Sequence, residues 1–245
     1  MKKFNSVALG LVSVVLVAAC ASSTQSTSAA KGSSAHIAAV TQQVDSAFIR
    51  ANARTSSDWP SYGLDYAETR FSRLNQINTS NVKDLGLAWS YNLESARGVE
   101  STPIVVDGIM YVSASWSVVH AVDVRTGKRI WSFDPQVPKA QGFKGCCDVV
   151  NRGVALYQGK VFVGAFDGRL IALDAATGKK LWEKDTIVNP AMSYTITGAP
   201  RVFDGTVVIG NGGDALRVPG YITAYDANTG APTRRWFTVP GNHSK

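Results

Sequence analysis

The 245-residue sequence has only three His and three Cys, and His36, His120 and His243 are too dispersed to suggest a metal site. It also lacks any run of five or six like charges: 25 Lys and Arg exceed 18 Asp and Glu for a formal charge of +7, yet the cations are scattered among turns. An electrostatic footprint for nucleic acid wants clustering on one face, so no nucleic-acid partner is expected. The apolar stretch from Val7 to Val17 is too short to cross a bilayer as a permanent helix. Proline is sparse, nine residues beside 22 Gly, six Trp and many Val, which argues against a helical bundle. Strands take β-branched and aromatic residues, and their connections take residues that tolerate positive φ, so a turn-rich β protein is expected. A hydrophobic fraction of 45% excludes disorder throughout and suffices for one sizeable domain or two small ones.

The first residues read as an export signal, with Lys2 and Lys3 ahead of the short apolar stretch. Val17-Ala18-Ala19-Cys20 resembles a bacterial lipoprotein processing site, so residues 1–19 are expected to be removed and Cys20 to carry a lipid. Ordinary cleavage after Ala21 is the alternative. Losing Lys2 and Lys3 leaves 23 cations against 18 acids, a mature charge of +5. Residues 20–34, rich in Ser, Thr and Ala, cannot bury a core and read as a flexible tether to the outer membrane. Over 35–54 the spacing of Ile37, Val40, Val44 and Phe48 predicts one amphipathic helix ahead of the main domain at 55–245. The other two cysteines, Cys146 and Cys147, are neighbours. The oxidising periplasm permits a disulfide between them, and a pair of buried thiols is the competing reading of the residues alone.

An internal repeat carries most of the information. Ala121-Val122-Asp123 through Thr126-Gly127 to Trp131 matches Ala172-Leu173-Asp174 through Thr177-Gly178 to Trp182. It recurs as Ala224-Tyr225-Asp226 through Thr229-Gly230 to Trp236. The Asp positions are 51 residues apart (174 − 123) and 52 apart (226 − 174), room for about four short strands and their turns. Each motif follows another strand start, at Asp107-Gly108, Gly159-Lys160 and Asp204-Gly205, and Asp167-Gly168 suits a two-residue hairpin. Mechanically, Thr-Gly supplies a positive-φ turn, the Asp caps it, and the Trp can wedge between neighbouring units while its indole N–H finds a carbonyl. The expected fold is therefore an all-β propeller, of which three repeats and an earlier strand at Leu85 to Tyr91 are present. Closed rings use four to eight blades, so a partial ring is expected.

Several motifs then fall in order: Trp59-Pro60-Ser61-Tyr62-Gly63, Gly98-Val99-Glu100-Ser101-Thr102-Pro103, Cys146-Cys147-Asp148-Val149-Val150-Asn151-Arg152-Gly153, Thr195-Ile196-Thr197-Gly198-Ala199-Pro200 and Gly210-Asn211-Gly212-Gly213. With the repeat, they resemble the N-terminal portion of a quinoprotein alcohol dehydrogenase. That resemblance implies an eight-bladed propeller holding pyrroloquinoline quinone (PQQ) and calcium on its axis, about three to four blades of which lie in this chain. It further implies that Cys146-Cys147 is a vicinal disulfide lying flat against the quinone. Carried onto this sequence, Glu100 would hydrogen-bond the cofactor's edge, Arg152 would face the ortho-quinone oxygens and Thr197 would contact a cofactor carboxylate. Gly212 and Gly213 would bring backbone to the same edge. A fixed guanidinium and a divalent cation suit a carbonyl that must become more electrophilic to accept hydride.

One departure bears on the metal. The family's calcium-binding Glu falls at Ala215, whose methyl cannot ligate a hard cation, and Asp214 is the substitute the sequence offers. The second metal ligand and the catalytic Asp belong to later blades. The resemblance thus implies the N-terminal part of a periplasmic enzyme that oxidises primary alcohols to aldehydes and passes electrons to a cytochrome, incomplete and inactive alone. A non-catalytic propeller lipoprotein serving as an envelope assembly scaffold is the alternative. Weaker motifs do not compete: Gly210 to Ala215 fits a dinucleotide fingerprint loosely, but Pro219-Gly220 stands where its helix should run. Ser80 and Lys83 have the spacing of a nucleophilic pair without the companion motifs such enzymes need.

Overall fold

A computed structural model of the chain describes residues 29–212 and 217–239. The export signal, Cys20, Gly213, Asp214 and Ala215 lie outside the described residues. Two short helices, α1 (Ser34–Gln42) and α2 (Ser46–Asn52), precede twelve strands. The single helix expected over 35–54 is interrupted because Asp45 caps a new one, its carboxylate accepting the Phe48 N–H at 2.8 Å.

The strands form three four-stranded antiparallel meanders. The first holds β1 (Ile104–Val106), β2 (Ile109–Ser113), β3 (Val119–Asp123) and β4 (Lys128–Phe133). The second holds β5 (Ala155–Tyr157), β6 (Lys160–Gly164), β7 (Arg169–Asp174) and β8 (Lys180–Asp185). The third holds β9 (Arg201–Phe203), β10 (Thr206–Gly210), β11 (Tyr221–Asp226) and β12 (Pro232–Phe237). Each begins with a two-residue hairpin in which both central residues have positive φ: Asp107 and Gly108, Gln158 and Gly159, Asp204 and Gly205. Such turns match the right-handed twist of paired strands.

The repeated Trp does what its chemistry suggests. Its indole reaches across to the next blade and donates to a carbonyl there: Trp89 to Val124 at 2.7 Å, Trp131 to Ala175 at 3.0 Å and Trp182 to Ala227 at 3.3 Å. In each case the ring lies on the Thr-Gly glycine of that next blade, where an added Cβ would come within 2.8 Å. In the second and third blades the repeat Asp caps the turn, Asp174 and Asp226 each accepting from the backbone and side chain of the following Thr. In the first, Asp123 departs from that pattern and pairs with Arg125. One buried cluster spans the helices and the first two blades, and a second spans blades two and three. Replacing Gly178 (φ +71) with alanine puts a methyl into the Trp131 ring and strains the turn, and is expected to cost about 1–3 kcal/mol by thermal denaturation.

Leu85 to Tyr91, expected as a strand, makes no strand pairing among the described residues, although Trp89 holds the wedge position of an outermost strand. Leu85 and Leu87 are exposed on it, and Trp236, at the equivalent place in blade three, is 43% exposed. No described helix is long and apolar enough to cross a membrane.

Candidate functional site

The sequence motifs converge at the junctions between blades. Arg152 lies on the connection from blade one to blade two, and its backbone is stitched on both sides: its N–H donates to Thr197 O at 2.9 Å and its carbonyl accepts from the Thr102 N–H at 3.1 Å. Its guanidinium then reaches Glu100 at 2.9 Å and the Thr197 hydroxyl at 2.7 Å. Three residues nearly a hundred positions apart in sequence are thus held by one planar fork. Thr195 pairs with Gly212, the Gly212 N–H donating to Thr195 O at 2.7 Å.

These residues surround one cavity of about 120 Å³, lined by Cys146, Cys147, Arg152, Thr195, Thr197 and Gly212 among others. Glu100 sits at its rim through the Arg152 pair, and both partners stay partly open to solvent. A Cβ on Gly212 would lie 3.2 Å from the Thr195 hydroxyl, so glycine leaves the wall free there. Cys146 and Cys147 are exposed free cysteines with their Sγ atoms 2.6 Å apart. The buried-thiol reading of the pair is therefore wrong: both sulfurs face outward at the cavity. The neighbouring Cys146 raises the Cys147 thiol pKa, and the positive Arg152 opposes that shift.

Two features escaped the sequence reading. Asn151 is buried and fully satisfied: its amide donates to Ser117 Oγ at 3.2 Å and Gly164 O at 2.8 Å, and its carbonyl accepts from Ser113 Oγ and the Gly153 N–H. It fixes the loop that presents Arg152. Asp148, in the left-handed region at φ 71, is gripped by the Arg97 guanidinium. Both stand inside the quoted Cys-Cys motif, but only their distant partners, 13 to 51 residues away, reveal what they do.

The Arg97 guanidinium, helped by the Val149 and Gly98 amides, holds the Asp148 carboxyl down at about 2. A depressed carboxyl pKa favours the folded state above the ordinary carboxylate range, and that contribution disappears as pH falls through about 2. A carboxyl titration followed by NMR is expected to show a midpoint near 2 for Asp148, returning toward 3.8 in Arg97→Ala.

Among the described residues no group of three His, Cys, Asp or Glu could hold a metal ion. The metal implied by the resemblance thus has no ligand set among the described residues, and its candidate ligand Asp214 lies outside them.

Comparison with known proteins agrees with the geometry. A profile described as PQQ glucose/ethanol/alcohol dehydrogenase, β-propeller domain, matches residues 59–245. The quinohemoprotein alcohol dehydrogenase of Comamonas testosteroni is 66% identical over 232 residues, 95% of this chain and 33% of the relative. The 1-butanol dehydrogenase (cytochrome c) of Thauera butanivorans is 61% identical over 184 residues, 75% of this chain and 26% of the relative. Among solved structures, the Comamonas enzyme superposes with a TM-score of 0.84 at 70% identity, covering 86% of this chain and 32% of that one. A europium-containing methanol dehydrogenase superposes with a TM-score of 0.75 at 38% identity, covering 79% and 34%. The chain thus spans about a third or less of the relatives it matches. With a matching profile over most of its length, the chain belongs to the PQQ-dependent glucose/ethanol/alcohol dehydrogenase β-propeller family.

Proposed function

We propose that this chain is the N-terminal part of an exported, PQQ-dependent dehydrogenase that oxidises primary alcohols to aldehydes and passes the electrons to a cytochrome. The observation that carries the reading is the fork of Arg152 joining Glu100 and Thr197 beside Cys146 and Cys147. The residues present suit PQQ: a guanidinium, two Thr hydroxyls and a glycine-lined wall fit a flat ring bearing carboxylates, with the two sulfurs offering a surface beside it. PQQ, when bound, supplies the carbonyl that accepts hydride from the alcohol.

What the chain's own residues contribute is binding and polarity. Glu100 holds one edge of the guanidinium and Thr197 the other, so Arg152 keeps its direction without rotamer search. A cation fixed in that way favours negative charge gathering on an oxygen in front of it. Export to an oxidising compartment would let Cys146 and Cys147 join as a disulfide, with a periplasmic thiol oxidant taking the two electrons and two protons. Lys2, Lys3 and the site before Cys20 support export and a lipid anchor at the outer membrane. The alcohol and cytochrome partners follow the names of the relatives, of which one is a cytochrome c-linked 1-butanol dehydrogenase. Calcium belongs to the same proposal, with Asp214 the one ligand this sequence offers for it. A scaffold protein would have no need of the Arg152 fork or the paired sulfurs.

The test is a titration of the purified chain with PQQ, followed by quinone absorbance and by assay with a primary alcohol and a dye acceptor. Saturable binding without turnover is expected. No binding at high PQQ concentration, or rapid turnover by this chain alone, would overturn the reading.

A further inference from the structure

The helices α1 and α2 lie across the first turn of all three blades in succession. At blade one, His36 is buried and its Nε2 donates to Asp107 at 2.8 Å, while its Nδ1 accepts from the Gly32 N–H. At blade two, the Gln158 and Gly159 amides donate to the Val44 and Thr41 carbonyls at 2.8 and 2.9 Å. At blade three, Ser46 Oγ accepts from the Asp204 N–H at 2.8 Å and meets the Tyr66 hydroxyl, which donates to Val202 O at 3.1 Å. Arg50 lies 3.7 Å from the Asp204 carboxylate. Ile37, Val44 and Ile49 are fully buried in the same cluster as β1, β2, β5 and β6.

We propose that α1 and α2 are a brace that couples blade one to blade three and thereby sets the spacing of Glu100, Arg152 and Thr197. In an array of repeats each unit touches only its neighbours, so strain in one reaches the next but one only through the unit between. The helix pair provides a second route. It engages the turns that close the first strands β1, β5 and β9, and the connections leading into the other ends of those three-residue strands carry Glu100, Arg152 and Thr197. A small rotation of one blade would move one end of the Arg152 fork, and a rigid strap on the turns resists that rotation. His36 and Ser46 are accordingly positioning residues. The contacts stand whatever the site binds; only the consequence for the three site residues rests on the function proposed above.

The test is native-state hydrogen exchange on this chain, comparing the unaltered protein with His36→Ala and with Asp107→Gly. The latter removes the acceptor but keeps a residue that accepts the turn's positive φ. It therefore serves where His36→Ala folds poorly. Cutting the blade-one end is expected to accelerate exchange at the Gln158, Gly159 and Asp204 amides tenfold or more. Ser46→Ala should do the same at Asp107, and Ser46→Thr, which keeps the hydroxyl, should restore the slow rates. Acceleration confined to the altered turn would overturn the brace. PQQ affinity of the same variants is expected to fall several-fold with Arg152 untouched, and unchanged affinity would remove the link to the site. If the unaltered chain takes up no PQQ, the functional reading fails while the exchange pattern still decides the brace.

Discussion

Replacing Trp131 with alanine is expected to lower the stability of the chain by about 3–5 kcal/mol, the range for removing a buried tryptophan. The ring is 8% exposed, leans on Tyr111 with centroids 5.8 Å apart, and covers Gly178 in the next blade. Its loss opens a cavity at the junction of blades one and two and leaves the Ala175 carbonyl without the indole donor. Tyr111 also donates to Ala175 O, at 3.0 Å, so that carbonyl is not stranded and the loss is chiefly one of packing. In a domain of this size the midpoint of thermal unfolding should fall by roughly 10 °C. Trp131→Phe should recover part of the difference, because it restores ring area without the N–H. A loss below about 1 kcal/mol would show that the wedge is not what joins the blades.

Arg152→Ala is expected to weaken PQQ binding by about ten- to a hundredfold, because it removes a bidentate cation and frees both Glu100 and Thr197. Arg152→Lys should recover little, since an ammonium cannot span two partners in one plane. Glu100→Gln tests the same fork from the other side and should have a smaller effect, as its carboxylate is 46% exposed. Thermal unfolding should be nearly unchanged in all three, since the fork sits at an open cavity and not in the core. Wild-type affinity in Arg152→Ala would remove this residue from the site.

Much of this was legible in the sequence, for reasons that differ between elements. The 51-residue rhythm foretold the blades because each is built from local hairpins, and local structure leaves a periodic trace. The Trp wedge was legible because its only chemistry is a large flat surface and one N–H. The Arg152, Glu100 and Thr197 grouping followed from resemblance and not from spacing, since three connections bring it together. The break between α1 and α2 leaves no trace in the apolar spacing, which runs on through it, and only Asp45, an N-cap residue type, marks it. The buried Asn151 network could not be read, because a polar residue beside a functional one has no distinctive pattern until its partners are known. The unpaired segment at Leu85 to Tyr91 differs for a plain reason: a strand needs a neighbour, and no described residue provides one.

The two kinds of tie between blades also operate on different clocks. The Trp89, Trp131 and Trp182 indoles find their carbonyls 35 to 45 residues further along, so each junction can close soon after its residues leave the ribosome. The Ser46 hydroxyl must wait for Asp204, 158 residues later. Synthesis therefore lays the blades down one against the next, and the last end of the strap is fastened only once the third has begun.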